Sequence, residues 1–555
     1  MLLRSNHHLP ACMPTRRNRT VGLRLVAYVL GVGTILTAAA AASAAGVSQV
    51  AAGFAPLAAS STSGAEAQTE AVHRPAGIDW HDGDIDSAFA RARREGRPVF
   101  VYWGAVWCPP CNQLKATLFN RADFQQRAKL FVPVYIDGDA PGAQQLGTRF
   151  KVRGYPTTIV LRPDGSEITR LPGEVDPQRY LDVLGAALKA THPVQALRDD
   201  ALAKRRALSA DEWRLLAYYS WETDEQQLAG KGETAELVAR LAAVSPAGAL
   251  HDRLVLKAMS LRAEDAAKTH ARPDAATRAT LQRVLADPEQ TYANFDLLVY
   301  GADQAVQWLG TDQTPAQNAA LRSAWDQALA GLAEQPRLSW TDRLAAVDAR
   351  VGLAKHGDDK APVPPELVAA VRAAVVRADR EAHTPAERQT VISAAADVLA
   401  SAGLMQDSDR MLTDELTRSP APYYFMLGLA GNARARGDKA LALDWYAKAH
   451  AAARGPATRL QWGATHVRAL TDLAPDDVSA VEQAAASVLG ELKPEPEVFE
   501  GRNLAVLQRL GTRLADWGKT PDHAAAWGRV RAQWQQLCGA LPDQAPQRAA
   551  CSAPL

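Results

Sequence analysis

The stretch Arg97-Pro98-Val99-Phe100-Val101-Tyr102-Trp103-Gly104-Ala105-Val106-Trp107-Cys108-Pro109-Pro110-Cys111 decides the fold. It is a short apolar run, rich in β-branched and aromatic residues, that ends at two cysteines three positions apart. The residues after it, 112–120 with Leu114, Lys115, Leu118 and Phe119, have helical spacing. The two thiols therefore fall where a buried strand turns into a helix. At a helix N-terminus the first N–H groups lack intrahelical partners and the dipole favours negative charge. A thiolate is stabilised there, and the thiolate is the reactive form. Cys108 is the expected attacking thiol and Cys111 the resolving one.

A second signal follows about forty-five residues later: Lys151-Val152-Arg153-Gly154-Tyr155-Pro156-Thr157-Thr158-Ile159-Val160-Leu161. Together the two stretches resemble the thioredoxin superfamily. Trp107-Cys108-Pro109-Pro110-Cys111 matches its active-site motif. Gly154-Tyr155-Pro156-Thr157 matches its cis-proline loop, in a form similar to that of disulfide-isomerase domains. The wider pattern, over 78–190, looks most like the thioredoxin-like domain at the C-terminus of the DsbD thiol reductases. The resemblance implies a redox-active Cys108–Cys111 disulfide and a cis peptide at Pro156. It also implies substrate contacts at Trp107, Tyr155 and Pro156, with the Tyr155 backbone pairing an extended substrate strand. Gly173 matches the family's glycine near the site.

Two positions depart from the family. Its buried acid six residues before the first cysteine is Tyr102 here, and the lysine that partners that acid is Pro133. The usual proton relay to the resolving thiol is missing, which leaves water, a substrate group or a carboxylate such as Asp137 or Glu174. The Pro109-Pro110 pair brings no charge and removes two N–H donors beside Cys108. A less stabilised thiolate points to a reductant, nearer thioredoxin at about −270 mV than the oxidant DsbA at about −120 mV.

With 555 residues the chain is too long for a single core, so several domains are expected. A net charge of +1 and the lack of a basic face argue against a nucleic-acid partner. Five cysteines are too few for a disulfide scaffold. Cys538 and Cys551 have the wrong spacing to complete a zinc site with the first pair, so no metal is expected, and no other cofactor. They form either a disulfide stapling the tail or two free thiols.

Residues 1–45 resemble a targeting segment. Arg16, Arg17 and Arg19 precede an apolar run over 25–37, and Ala42-Ser43-Ala44 supplies a small-residue cleavage site. The alternative is an uncleaved anchor, for which the apolar run with its alanine tail, 38–45, is just long enough. Either places the rest outside the cytoplasm, periplasmic or secreted. Residues 46–76, rich in Ala, Ser, Thr and Gly, read as a flexible linker. The thioredoxin-like domain is assigned to 77–192. Its expected order is a helix over 79–95, the strand to Trp103, the post-cysteine helix, a strand over 130–136, a helix over 143–150, strands over 157–161 and 167–171, and a closing helix over 176–190.

From 193 to 555 strand signals disappear. Capping boxes recur at Ser209/Glu212, Thr314/Gln317 and Thr384/Glu387, the last two with proline at the first helical position. Gly403 and Gly437 lie 34 residues apart. Ser408, Leu412 and Glu415 then align with Ala442, Tyr446 and Ala449. This resembles the second helix of tetratricopeptide repeats, although Ser408 and Glu415 replace small residues. Earlier residues show no clear period. The expected fold class is thus an α/β thioredoxin fold followed by an all-α, solenoid-like helical-repeat domain.

These readings imply an extracytoplasmic thiol–disulfide oxidoreductase acting on protein disulfides and fed by an upstream thiol reductant. The helical half would hold protein partners on a concave surface. The rivals are a helical scaffold with a redox-sensing or inert thioredoxin domain, and an isomerase or oxidase using the same cysteines.

Overall fold

Strand β1, Val99–Gly104, is buried along its whole length, as its continuous apolar sequence requires. It occupies an interior position in a four-stranded sheet of order β2-β1-β3-β4. It pairs in parallel with β2, Val132–Asp137, so that Tyr102 faces Tyr135 and Gly104 faces Asp137. On its other side it pairs antiparallel with β3, Thr157–Leu161, which pairs antiparallel with β4, Glu167–Leu171.

This computed structural model describes residues 74–554 apart from 174, 225 and 270–271. The expected targeting segment, nearly all of the linker, and Glu174 lie outside the described residues. Helix α1 spans Ile85–Glu95 and buries Ile85, Ala88, Phe89 and Ala92. It starts later than the spacing from 79 suggests, because the Asp84 carboxylate accepts the Ser87 N–H at 2.7 Å and caps it there. Helix α2, Pro109–Leu114, follows the first cysteine and passes into a π-helical turn, Lys115–Phe119. A helix absent from the sequence reading, α3, Ala122–Ala128, comes next. Leu130 is exposed, so the strand begins at Val132 and not at 130. Helix α4, Ala143–Arg149, and helix α5, Pro177–Lys189, complete this part.

Beyond Pro193 the described chain is mostly helical. All three sequence-predicted capping boxes are formed. Part of the helical region shares the core of the first part, while other buried clusters form within the helices alone. Val194, Leu197, Trp213, Tyr424 and Trp462 belong to the same buried cluster as Trp103 and Phe119. Arg170 of β4, completely buried, ties the two parts. Its guanidinium pairs with Glu167 at 3.0 Å and donates to the carbonyl oxygens of Phe150, of Lys151 at 3.1 Å and of Thr223 at 2.7 Å.

The 34-residue offset falls on two helical hairpins, Pro385–Ser401 with Met405–Glu415 and Pro422–Ala435 with Lys439–Ala452. Gly403 and Gly437, with φ of 81° and 82°, occupy the two equivalent turns. Ser408 and Glu415 are buried at the positions where small residues are expected, and each has a dedicated partner. Ser408 Oγ accepts the Asn432 side-chain N–H at 2.9 Å, and Glu415 binds the Arg388 guanidinium at 2.7 and 2.9 Å. At the C-terminus Cys538 and Cys551 are joined, with Cα atoms 5.6 Å apart. In the chain-entropy model such a loop is worth about 3 kcal/mol.

Arg388→Leu leaves the Glu415 carboxylate, 2% exposed, without its counter-charge. The expected loss is about 3 kcal/mol of unfolding free energy, largely recovered in Arg388→Leu/Glu415→Leu. Urea denaturation of both variants checks this.

Candidate functional site

Tyr102 and Gly104 lie on one face of β1, two residues apart. A Cβ on Gly104 would collide with the Tyr102 hydroxyl, so glycine is required where the strand delivers the chain to the cysteines. Cys108 is the N-cap of α2, and its sulfur accepts the Cys111 N–H at 3.3 Å. Pro109 and Pro110 occupy the first helical turn, where an N–H would have no intrahelical acceptor. The two cysteines are disulfide-linked, with Cα atoms 5.2 Å apart. The Tyr155–Pro156 peptide is cis, and a Cβ on Gly173 would lie 3.6 Å from the proline ring. Trp107, Cys108, Cys111, Tyr155, Pro156 and Gly173 thus belong to the loops and helix start at the end of β1 and the beginning of β3.

The helical region covers this end of the sheet. Cys108 and Cys111 are both 0% exposed, and Trp107 is 2% exposed. The Trp107 ring lies 4.8 Å from Trp462 and stacks at 6.1 Å on Tyr424. Its indole N–H donates to Thr458 Oγ at 2.9 Å. The Thr458 hydroxyl in turn donates to Asp139, whose carboxylate also accepts the Thr458 backbone N–H at 2.8 Å. The Gln389 side chain donates to the Trp107 carbonyl at 3.2 Å. The Arg502 guanidinium sits 5.5 Å from the Trp107 ring centre and 5.0 Å from that of Tyr155. Trp107 and Tyr155, two of the residues expected to contact substrate, are therefore in contact with the chain's own helices.

Further cross-links hold this cover. The Gln144 amide of α4 donates to the Gly138 carbonyl at 2.8 Å and to the Tyr155 hydroxyl at 3.3 Å. Its oxygen accepts the backbone N–H groups of Arg502 and Asn503 at 3.1 and 3.2 Å, capping the Gly501–Trp517 helix. Gln113 of α2 donates to Asp342 at 2.7 Å. The contacts with Arg502, Asn503 and Asp342 have no sequence signal, because each joins residues more than 200 positions apart.

Burial governs the titration of this interface. It pushes the Asp139 and Asp342 carboxyls up to about 6, against the hydrogen bonds from Thr458 and from Ser339 and Gln113. It pushes the Tyr155 phenol up to about 12. Among the described residues, no group of three or more His, Cys, Asp or Glu side chains is arranged to hold a metal ion.

The thioredoxin-like domain family matches residues 85–188. Residues 85–188 form a thioredoxin-like domain. The thiol:disulfide interchange protein DsbD of Pseudomonas fluorescens is 33% identical over 104 residues, 18% of this chain and 18% of that protein. DsbD 2 of Pseudomonas aeruginosa is 30% identical over 103 residues, 18% of this chain and 17% of that protein. The present chain thus spans less than a fifth of the length of these curated relatives. A thioredoxin from Thermus thermophilus is 28% identical, covering 20% of this chain and 85% of that structure, with a TM-score of 0.18.

A carboxyl with a raised folded-state pKa holds its proton more tightly when folded. Asp139 and Asp342 therefore favour the packed state as pH falls through about 6 and oppose it above. His450 and His466, lowered by burial (His466 to about 4), act in the opposite sense. The signal is therefore a difference: relative to Asp139→Asn/Asp342→Asn, the wild-type urea midpoint gains at pH 5 over pH 7.5. A constant difference would show that neither carboxyl titrates in the interface.

Proposed function

We propose that this protein is an extracytoplasmic thiol–disulfide oxidoreductase that reduces protein disulfides through Cys108 and Cys111. The observation that carries the reading is the Cys108–Cys111 disulfide at the start of α2, beside the cis Tyr155–Pro156 peptide, in a thioredoxin-like domain. In the reduced form the Cys108 thiolate attacks a substrate disulfide. One substrate sulfur leaves as a thiolate and a mixed disulfide forms. Cys111 then attacks Cys108, and the second substrate sulfur leaves. The substrate gains two electrons and the cysteine pair loses them, so an upstream thiol reductant must restore the pair. Trp107, Tyr155 and Pro156 would frame the substrate strand.

Extracytoplasmic placement rests on the N-terminal apolar run and on the second cysteine pair, Cys538–Cys551, which suits an oxidising compartment. No described helix is long and apolar enough to cross a membrane. The helical region would select partners, and it also controls access. With both sulfurs buried, a protein disulfide reaches Cys108 only when the layer carrying Tyr424, Thr458 and Trp462 moves off Trp107. The same burial favours a second reading, a helical scaffold in which the thioredoxin-like domain is a redox-sensing or inert structural module.

Turbidimetric insulin reduction by the full chain separates the two. Thr458→Val/Trp462→Ala, which loosens the cover, should speed turnover at least about tenfold, the factor that ~1.4 kcal/mol of lost contact supplies. If neither protein consumes insulin disulfides, the scaffold reading replaces the enzyme. The direction of transfer is checked by equilibrating the pair with dithiothreitol buffers. A reductant lies at about −250 mV or below, whereas about −180 mV or above indicates an isomerase or oxidase.

A further inference from the structure

Lys115 is one helical turn after Cys111. Its backbone N–H donates to the Cys111 carbonyl, so the two side chains leave the same face of the helix. Both are buried, Lys115 with 8% exposure and Cys111 with none, whereas Lys129 and Lys151, the other lysines of residues 85–188, are exposed. The Lys115 ammonium lies 5.5 Å from the centre of the Tyr135 ring. Tyr135 pairs in register with Tyr102, and their rings are 5.1 Å apart. Lys115 thus reaches the part of the sheet where Tyr102 and Pro133 stand in place of a carboxylate and its lysine partner. The sheet edge near it carries one charge that acts on it, Asp137.

We propose that the Lys115 amine takes the proton from the Cys111 thiol in the resolving step. This rests on the oxidoreductase reading above. With Cys108 bound to substrate, the Cys111 S–H proton passes to the neutral Lys115 nitrogen. The Cys111 thiolate attacks Cys108 Sγ, the Cys108–Cys111 bond forms, the Cys108–substrate bond breaks, and the substrate sulfur departs as a thiolate. The ammonium then loses its proton to solvent when the pair is next reduced. Burial suits Lys115 to this task by pushing its pKa down to about 8, with Asp137 opposing the shift. That matches the ordinary thiol value of about 8.5, the condition for efficient proton transfer. The Pro385–Ser401 helix, which packs against this part of the chain, has Glu387 engaged in its own capping box and Arg388 in ion pairs with Glu415 and Asp379. Its remaining charge, Asp397, lies towards the other end.

Reaction of the reduced full chain with excess Ellman's reagent tests this, because thionitrobenzoate is released once on attack by Cys108 and again on resolution by Cys111. Lys115→Met should slow the second release at pH 7 by about a hundredfold and leave the first unchanged. The lost rate should return as pH rises and hydroxide replaces the amine. Lys115→Arg keeps the charge but cannot act as a base, so it should be as slow as Met. In a Cys108→Ser background, titration by thiolate absorbance should show a higher Cys111 pKa after Lys115→Met. A second release at the wild-type rate in Lys115→Met, or restored in Lys115→Arg, overturns the proposal. So does an equal slowing of both phases with a lower melting temperature, which marks a structural role. If the wild type gives no second release at any pH, the oxidoreductase reading falls and takes this one with it.

Discussion

The burial of Trp107 against the chain's own helices is the constraint on which the rest of the structure depends. The indole reaches Thr458, Thr458 reaches Asp139, and the Trp462 and Tyr424 rings close over them. An exposed tryptophan at this position would leave the dithiol open to any partner. Here the aromatic surface and the sulfurs are removed from water together, so under the proposed function contact with a substrate would compete with contact inside the molecule.

The chemistry of this interface is mixed. The interface combines apolar stacking with two carboxyls, Asp139 and Asp342, that burial raises to about 6. Each has donors from across the interface or from its own turn, so the cost of dehydrating it is offset but not abolished. Arg502 adds a cation between Trp107 and Tyr155, and Gln144 caps the helix that carries it. The thioredoxin-like domain therefore supplies structural parts to its own cover.

At two places where the chain departs from the expected sequence pattern, a neighbouring residue compensates locally. Where the spacing leads one to expect small residues between two helices, Glu415 and Ser408 are accommodated by Arg388 and Asn432. Where a buried acid would stand in β1, Tyr102 fills the space and Lys115 enters from the helix. Gly104 is then needed to give the tyrosine hydroxyl room. In each case a change of residue type is matched by a neighbour that meets its size or charge, which is what close packing demands.

Much of this was legible in the chain itself. The all-apolar β1, the cysteine spacing, the Gly-Tyr-Pro-Thr loop and the three capping boxes depend on neighbours within a few residues, and local periodicity encodes them directly. Helix α3 went unread because a short helical segment carries little periodic signal, and the π form of Lys115–Phe119 is hidden within a stretch whose spacing reads simply as helix. The late start of α1 was set by the Asp84 cap. The sequence by itself determined a thioredoxin-like domain with a dithiol at a helix start, followed by capped helices. Only the tertiary structure decided that the dithiol is covered, that Arg170 and Gln144 join the two parts, and that Lys115 is buried beside β2. Those outcomes arise from contacts between side chains far apart in sequence, whose pairing no local pattern specifies.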